Sequence, residues 1–149
     1  TLNPSSAASD VYKRQGAFTP TCSGEQLPKY DELYQNFKDK GFDDVYCISV
    51  NDAFVMNAWA RDLQIKNVKM IPDGCGTFTR SMGMLVDKPQ QGFGLRSWRY
   101  AAIINDGSVE EFFEEPGLNN MSLDEDPYTV SSPEDVLSYL DTNEIELSL

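Results

Sequence analysis

A chain of 149 residues suffices for one hydrophobic core and not for two. Twelve Lys and Arg stand against twenty-four Asp and Glu, a net charge of −12, which argues against nucleic acid or an anionic membrane as a partner. Histidine is absent, which excludes Ser-His and Cys-His nucleophile pairs, histidine metal sites and imidazole acid–base chemistry together.

No apolar run approaches the length of a membrane span, and no signal peptide is legible. Three widely spaced cysteines do not make a secreted disulfide framework, so a reducing, cytoplasmic setting is expected. Residues 1–15, TLNPSSAASDVYKRQ, lack periodicity. Their last six, Asp10-Val11-Tyr12-Lys13-Arg14-Gln15, back-translate to GAT GTG TAT AAG AGA CAG, the transposon end used to tag sequencing libraries. The segment is therefore expected to be a non-native leader joined at Gly16 to a domain spanning residues 16–149.

Gly16-Ala17-Phe18-Thr19-Pro20-Thr21-Cys22 sets a cysteine where a loop of small and turn-forming residues tips into a helix. There a thiol meets unpaired backbone N–H groups and the positive end of the helix dipole, both of which favour the reactive thiolate. A buried structural cysteine near a helix start fits the local residues as well. Leu27, Tyr30, Leu33, Tyr34 and Phe37 follow helical spacing, and Gly41 ends the run. Residues 45–50 read as a buried strand. Asn51 or Asp52 then caps a helix over 53–63, with Phe54, Val55, Ala58 and Trp59 on its apolar side. A second strand is expected over 68–71, a short helix over 77–84, and a third strand over 98–104. Asn105-Asp106-Gly107 turns the chain into a fourth strand over 109–113. Residues 114–131 read as an acidic, mobile surface loop. Ser132-Pro133-Glu134-Asp135 starts a closing helix that runs to about Leu140. The order supports an α/β fold.

GAFTPTC resembles the active-site loop of peroxiredoxins, in the wording of the type II (atypical) subfamily. Of the family pattern P-x-x-x-[TS]-x-x-C, Thr19 and Cys22 match, while Gln15 stands at the proline position. VYCISVNDAFVMNAWA, PDGCGTFTRSMGM and GFGLRSWRYAAIINDGSVEEFFEEP extend the likeness over residues 16–140. The wording is closest to bacterial members, including peroxiredoxin–glutaredoxin hybrids. The resemblance implies a thioredoxin-like fold and a thiol peroxidase that reduces hydrogen peroxide and alkyl hydroperoxides without metal or cofactor. Cys22 would be the peroxidatic nucleophile, passing through a sulfenic acid. Thr19 would hold the peroxide by its hydroxyl, and Arg99 would stabilise thiolate and peroxide, with Arg96 as the competing arginine. Glutathione, glutaredoxin or thioredoxin would serve as reductant, and the intact protein would be a homodimer. Cys47 lies at the spacing of the resolving cysteine found in some type II members, notably plant ones. It is equally placed to be a core residue, because a strand cysteine reaches Cys22 only by local unfolding. Cys75 matches no role. A cysteine hydrolase or transferase is disfavoured by the missing histidine.

In the family's sheet, a central strand precedes the active-site loop and pairs with the strands matching 45–50 and 98–104. Pro4, the Ser/Ala run and the charges of Asp10, Lys13 and Arg14 oppose such a strand in residues 1–15. The expectation is a fold truncated at the N-terminus, with that strand absent, a gap or makeshift pairing in its place, and a poorly folded, weakly active chain. The alternative function is a catalytically impaired fragment acting at most as an interaction module.

Overall fold

Val45 and Cys47 turn one way along their strand and Ile48 the other, and each side enters its own apolar cluster. That alternation builds a sheet covered on both faces. The computed structural model describes residues 8–11, 16–19, 22–120 and 127–142. Five strands stand in the order β3 (Lys69–Pro72), β2 (Val45–Ser49), β1 (Ala8–Val11), β6 (Tyr100–Asn105) and β7 (Ser108–Glu114). The first three run parallel, β6 runs antiparallel to β1, and β7 antiparallel to β6. A separate ribbon joins β4 (Leu85–Lys88) to β5 (Gly94–Ser97).

The helices are α1 (Leu27–Glu32), α2 (Tyr34–Asp39), α3 (Ala53–Asp62), α4 (Thr77–Ser81) and α5 (Pro133–Thr142). Leu27, Phe37, Trp59 and Leu140 bring α1, α2, α3 and α5 onto the sheet face that carries Cys47. Ile48, Tyr100 and Ala102 on the opposite face pack with Val86 and Trp98 from the ribbon and its exit. Asp52 caps α3 by accepting from the Val55 amide at 2.8 Å. Ser132 Oγ accepts from the Asp135 amide at 3.0 Å to start α5 as its sequence foretells. The β6–β7 turn places Asp106 at φ 51° and Gly107 at φ 78°, the pair of positive angles that a two-residue hairpin of matching twist requires.

Several expectations are corrected. The central strand is present: Ala8–Val11 pairs with Val45–Ile48 on one side and Tyr100–Ile103 on the other. The strand lies between Pro4 and the Lys13–Arg14 charges and includes Asp10, and its ladder is made by main-chain groups that every one of these residues owns. Residues 1–7 and 12–15 lie outside the described residues, as do those after Thr142. The helix through Phe37 divides at Leu33 (φ −92°, ψ 10°), where the Asn36 amide bonds to the Leu33 carbonyl at 3.0 Å in a tightened turn. On α3, Met56 and Trp59 are buried while Phe54 is 86% exposed, so the apolar side is rotated away from Phe54. The helix expected to reach residue 84 stops at Ser81. Trp98 and Arg99 precede β6 rather than belonging to it.

Where they are described, residues 115–131 form no helix or strand and are mostly exposed, as expected, but buried side chains tether the segment. Glu115 is fully buried. Its carboxylate accepts from the amides of Thr129 (2.7 Å), Val130 (2.9 Å) and Ser131 (2.7 Å), and from the Thr129 hydroxyl (3.0 Å). Burial works to raise its pKa. Hydrogen bonds from Ser131 and from the backbone of Thr129 and Val130 outweigh that and hold it below the ordinary value. Farther back, Asn119 accepts from the buried Lys88 ammonium at 2.9 Å, and Asn120 from the Asp87 amide at 2.9 Å.

Two outcomes follow. Ser9→Pro removes one amide from a strand paired on both sides and should cost about 1–3 kcal/mol, read as a lower urea midpoint; an unchanged midpoint would show that the sheet does not lean on β1. Because the Glu115 pKa is lowered on folding, its contribution is full above about 4.5 and is lost as pH falls through the folded value. Stability of the native chain should therefore fall more steeply with acid over that window than that of Glu115→Gln, by denaturant titration at each pH.

Candidate active site

The loop that leads to Cys22 is shaped by two left-handed residues. Gly16 has φ +87°, and a Cβ there would lie 2.6 Å from Asn51 Oδ1 and 3.0 Å from Ser49 Oγ, so the site accepts glycine alone. Asn51 Oδ1 takes the Ala17 amide at 3.0 Å and the Ser49 hydroxyl at 2.6 Å. Phe18 follows at φ 62° with its ring half-exposed, a strained angle for a bulky residue and one that clusters at functional sites. These two angles curl the chain so that the buried Thr19 hydroxyl donates to the Gly16 carbonyl at 2.6 Å. With its proton so occupied, the Thr19 oxygen is an acceptor. The Thr19 carbonyl takes the Ser23 amide at 2.8 Å.

Cys22 opens a five-residue π-helical turn, Cys22–Gln26, that runs into α1. Its side chain lies outside the described residues, as do Gln15, Pro20 and Thr21. The turn is pinned from two directions. Ser23 Oγ accepts from Trp59 Nε1 at 2.9 Å, and Gln26 Nε2 donates to the Ser131 carbonyl at 3.4 Å. Tyr30, one turn on, donates to the same carbonyl at 2.6 Å.

Neither arginine is a strand-end charge facing solvent. Arg99 is 1% exposed, donates from Nη1 to the Pro127 carbonyl at 2.8 Å and lies over the Tyr128 ring at 5.4 Å. Arg96, on β5, donates to the Val50 carbonyl at 2.9 Å and lies over the Phe93 ring at 5.7 Å. Burial lowers its pKa. Val11, the last residue of β1, pairs with Tyr100, the first of β6. Arg99 before β6 and the loop after β1 therefore leave the sheet at the same edge, where Asn51 also emerges beyond β2.

Cys47 is fully buried on β2, with β1 and β3 paired on either side. Cys75 is exposed in the turn before α4. Among the described residues no cluster of His, Cys, Asp or Glu is arranged to hold a metal, and no helix is long and apolar enough to cross a membrane. Sequence reasoning had no reason to single out Gln26, Tyr30 or Glu115, whose roles depend on a carbonyl about a hundred residues distant or on a buried turn. Asn51 was legible only as a helix cap, although a polar residue directly after a buried strand has the same signature when it receives a neighbouring loop.

A chemistry of this kind has known relatives. The family model described as Redoxin matches residues 14–129. A peroxiredoxin of Rhizobium etli is 59% identical over 130 residues, covering 87% of this chain and 72% of its own. The hybrid peroxiredoxin of Haemophilus influenzae is 50% identical over 130 residues, covering 87% and 52%. Among solved structures, reduced Prx3 of Vibrio vulnificus in complex with hydrogen peroxide superposes with a TM-score of 0.81 at 36% identity, covering 93% of this chain and 80% of that one. With the redoxin match over most of its length and these identities, the chain belongs to the peroxiredoxin family.

Proposed function

We propose that the protein is a thiol-dependent peroxidase that reduces hydrogen peroxide and alkyl hydroperoxides at Cys22. The observation that carries this reading is the register of Val11 with Tyr100, which sets the C-terminal end of β1, ahead of the curled Gly16–Thr19 loop and the turn begun by Cys22, at the same end of the sheet as the buried Arg99. A peroxidase needs a thiolate, an acceptor for the peroxide's proton and a cation for the negative charge that develops as the O–O bond breaks. Thr19, its own proton given to Gly16, supplies the acceptor. Arg99 supplies the cation, a guanidinium whose charge favours an anion beside it.

The Cys22 thiolate attacks the distal oxygen of ROOH. An S–O bond forms as the O–O bond breaks, two electrons leave sulfur, and RO⁻ takes a proton to leave as ROH. The resulting sulfenic acid is then attacked by a thiol, which releases water and forms a mixed disulfide; a second thiol resolves it. Burial of Cys47 between paired strands supports an external thiol, glutathione or a glutaredoxin, over Cys47 as the first partner; thioredoxin is the next candidate. The relative from Haemophilus influenzae is named a hybrid peroxiredoxin, which is consistent with the same choice.

Cys22→Ser should abolish peroxide consumption in an assay supplied with glutathione and glutaredoxin, whereas Cys75→Ser should retain nearly all of it; turnover by the Cys22 variant would overturn the assignment. Arg99→Met should raise the pH midpoint of Cys22 alkylation by about one unit or more and slow peroxide reaction in parallel. If protein oxidised with peroxide and glutathione is digested, mass spectrometry should find a glutathione adduct on Cys22, and a Cys22–Cys47 bridge in its place would return Cys47 to the cycle.

A further inference from the structure

We propose that Glu115 is a positioning residue for the peroxidase reaction, fixing Arg99 and the Cys22 turn to each other through the strap of residues 127–131. The proposal rests on the reading above that Cys22 and Arg99 carry the chemistry.

Glu115 follows β7 and holds Arg99 first with its own main chain. Its amide donates to the Arg99 carbonyl at 3.2 Å, and its carbonyl accepts from Trp98 Nε1 at 2.7 Å. The two residues that deliver the guanidinium are thus fastened to the Glu115 backbone. Its side chain fastens something else. The carboxylate collects three consecutive amides and a hydroxyl from Thr129, Val130 and Ser131, a stretch that belongs to no helix or strand and has no ladder of its own to satisfy those donors. A neutral side chain of the same size offers fewer acceptors for them, and a buried carboxylate survives only where its oxygens are this fully used.

Both ends of the strap lead to the reaction. At one end the Pro127 carbonyl and the Tyr128 ring contact the Arg99 guanidinium. At the other, the Ser131 carbonyl receives Tyr30 Oη and Gln26 Nε2, and Gln26 closes the turn that Cys22 opens. The Glu115 carboxylate therefore acts through the strap. It sets the register between the cation and the helical turn that bears the nucleophile. A shift of about 1 Å between such groups is enough to cost on the order of a hundredfold in rate.

The test is a double-mutant cycle on the 149-residue protein with Glu115→Gln, Arg99→Met and the pair. Two quantities are read: the second-order rate constant of Cys22 with hydrogen peroxide, and the pH midpoint of alkylation followed on the Cys22 peptide. Glu115→Gln, folded by circular dichroism, should lose about tenfold or more in rate and show a raised midpoint, while in the Arg99→Met background the same change should cost less than about threefold. Wild-type rate and midpoint in Glu115→Gln, or an undiminished loss in the Arg99→Met background, overturns the proposal. Should Glu115→Gln fail to fold, Tyr30→Phe decides: it deletes only the hydroxyl that reaches Ser131, while the ring keeps its stack on Phe37 (centroids 5.7 Å apart). A slowed peroxide reaction in folded Tyr30→Phe supports the strap, and a wild-type rate overturns it. Failure of the underlying reading looks different, since Arg99→Met would then itself leave rate and midpoint unchanged.

Discussion

The main-chain ladder of β1 is the constraint on which the other elements depend. Without those four residues, β2 would pair only with β3 and β6 only with β7, and the sheet would part into two ladders with facing, unsatisfied edges. Each buried donor or acceptor left alone costs roughly 1–3 kcal/mol, a large fraction of the stability of a typical domain. The same pairing sets the register of Val11 with Tyr100, so that the C-terminal end of β1 and Arg99, which precedes β6, stand at the same end of the sheet.

A second device recurs around α1. In a chain rich in acidic residues, carboxylates are used to gather main-chain amides, Asp31 and Glu115 among them. Asp31 of α1 gathers the amides of Lys66 (3.1 Å), Asn67 (2.8 Å) and Val68 (3.0 Å) ahead of β3, and Glu115 does the same for residues 129–131. Both segments approach the sheet edge or core without regular structure, and a carboxylate's several lone pairs suit consecutive amides that no strand or helix will receive. Since Ser131 in turn receives Tyr30 and Gln26, α1 is stitched on both flanks, by its own anion on one and by a borrowed carbonyl on the other.

What was legible in the sequence was whatever local pattern determines. The 45–50 run, the Asn105-Asp106-Gly107 hairpin and the Ser132 cap each depend on a few adjacent residues and appear where expected. The β4–β5 ribbon was missed because four-residue strands, one reading Leu-Val-Asp-Lys before a proline, give too short an alternation to stand out. Phe54 misled because an apolar residue at a helix start need not face the core. β1 was missed for the opposite reason: its side chains argue against a central strand, yet its position is won by backbone groups that carry no residue signature. In the site, Thr19 and Cys22 were visible as a motif, whereas Glu115 and Tyr30 act through contacts that only the folded chain creates.

The chain's two tryptophans divide the molecule optically. Trp59 is fully buried in the cluster beneath α1, and Trp98 is fully buried in the cluster on the opposite face. The Trp59 indole donates to Ser23, the residue next to Cys22, while the Trp98 indole donates to the Glu115 carbonyl and has the Lys88 ammonium 5.4 Å from its ring. A rearrangement of the Cys22–Gln26 turn that breaks the Ser23 contact changes the hydrogen bonding of the first fluorophore, while the second reports on the Glu115 side. Replacing either by phenylalanine would give a label-free emission signal assigned to one side of the sheet, resolving movement at the cysteine from movement of the ribbon and strap in real time.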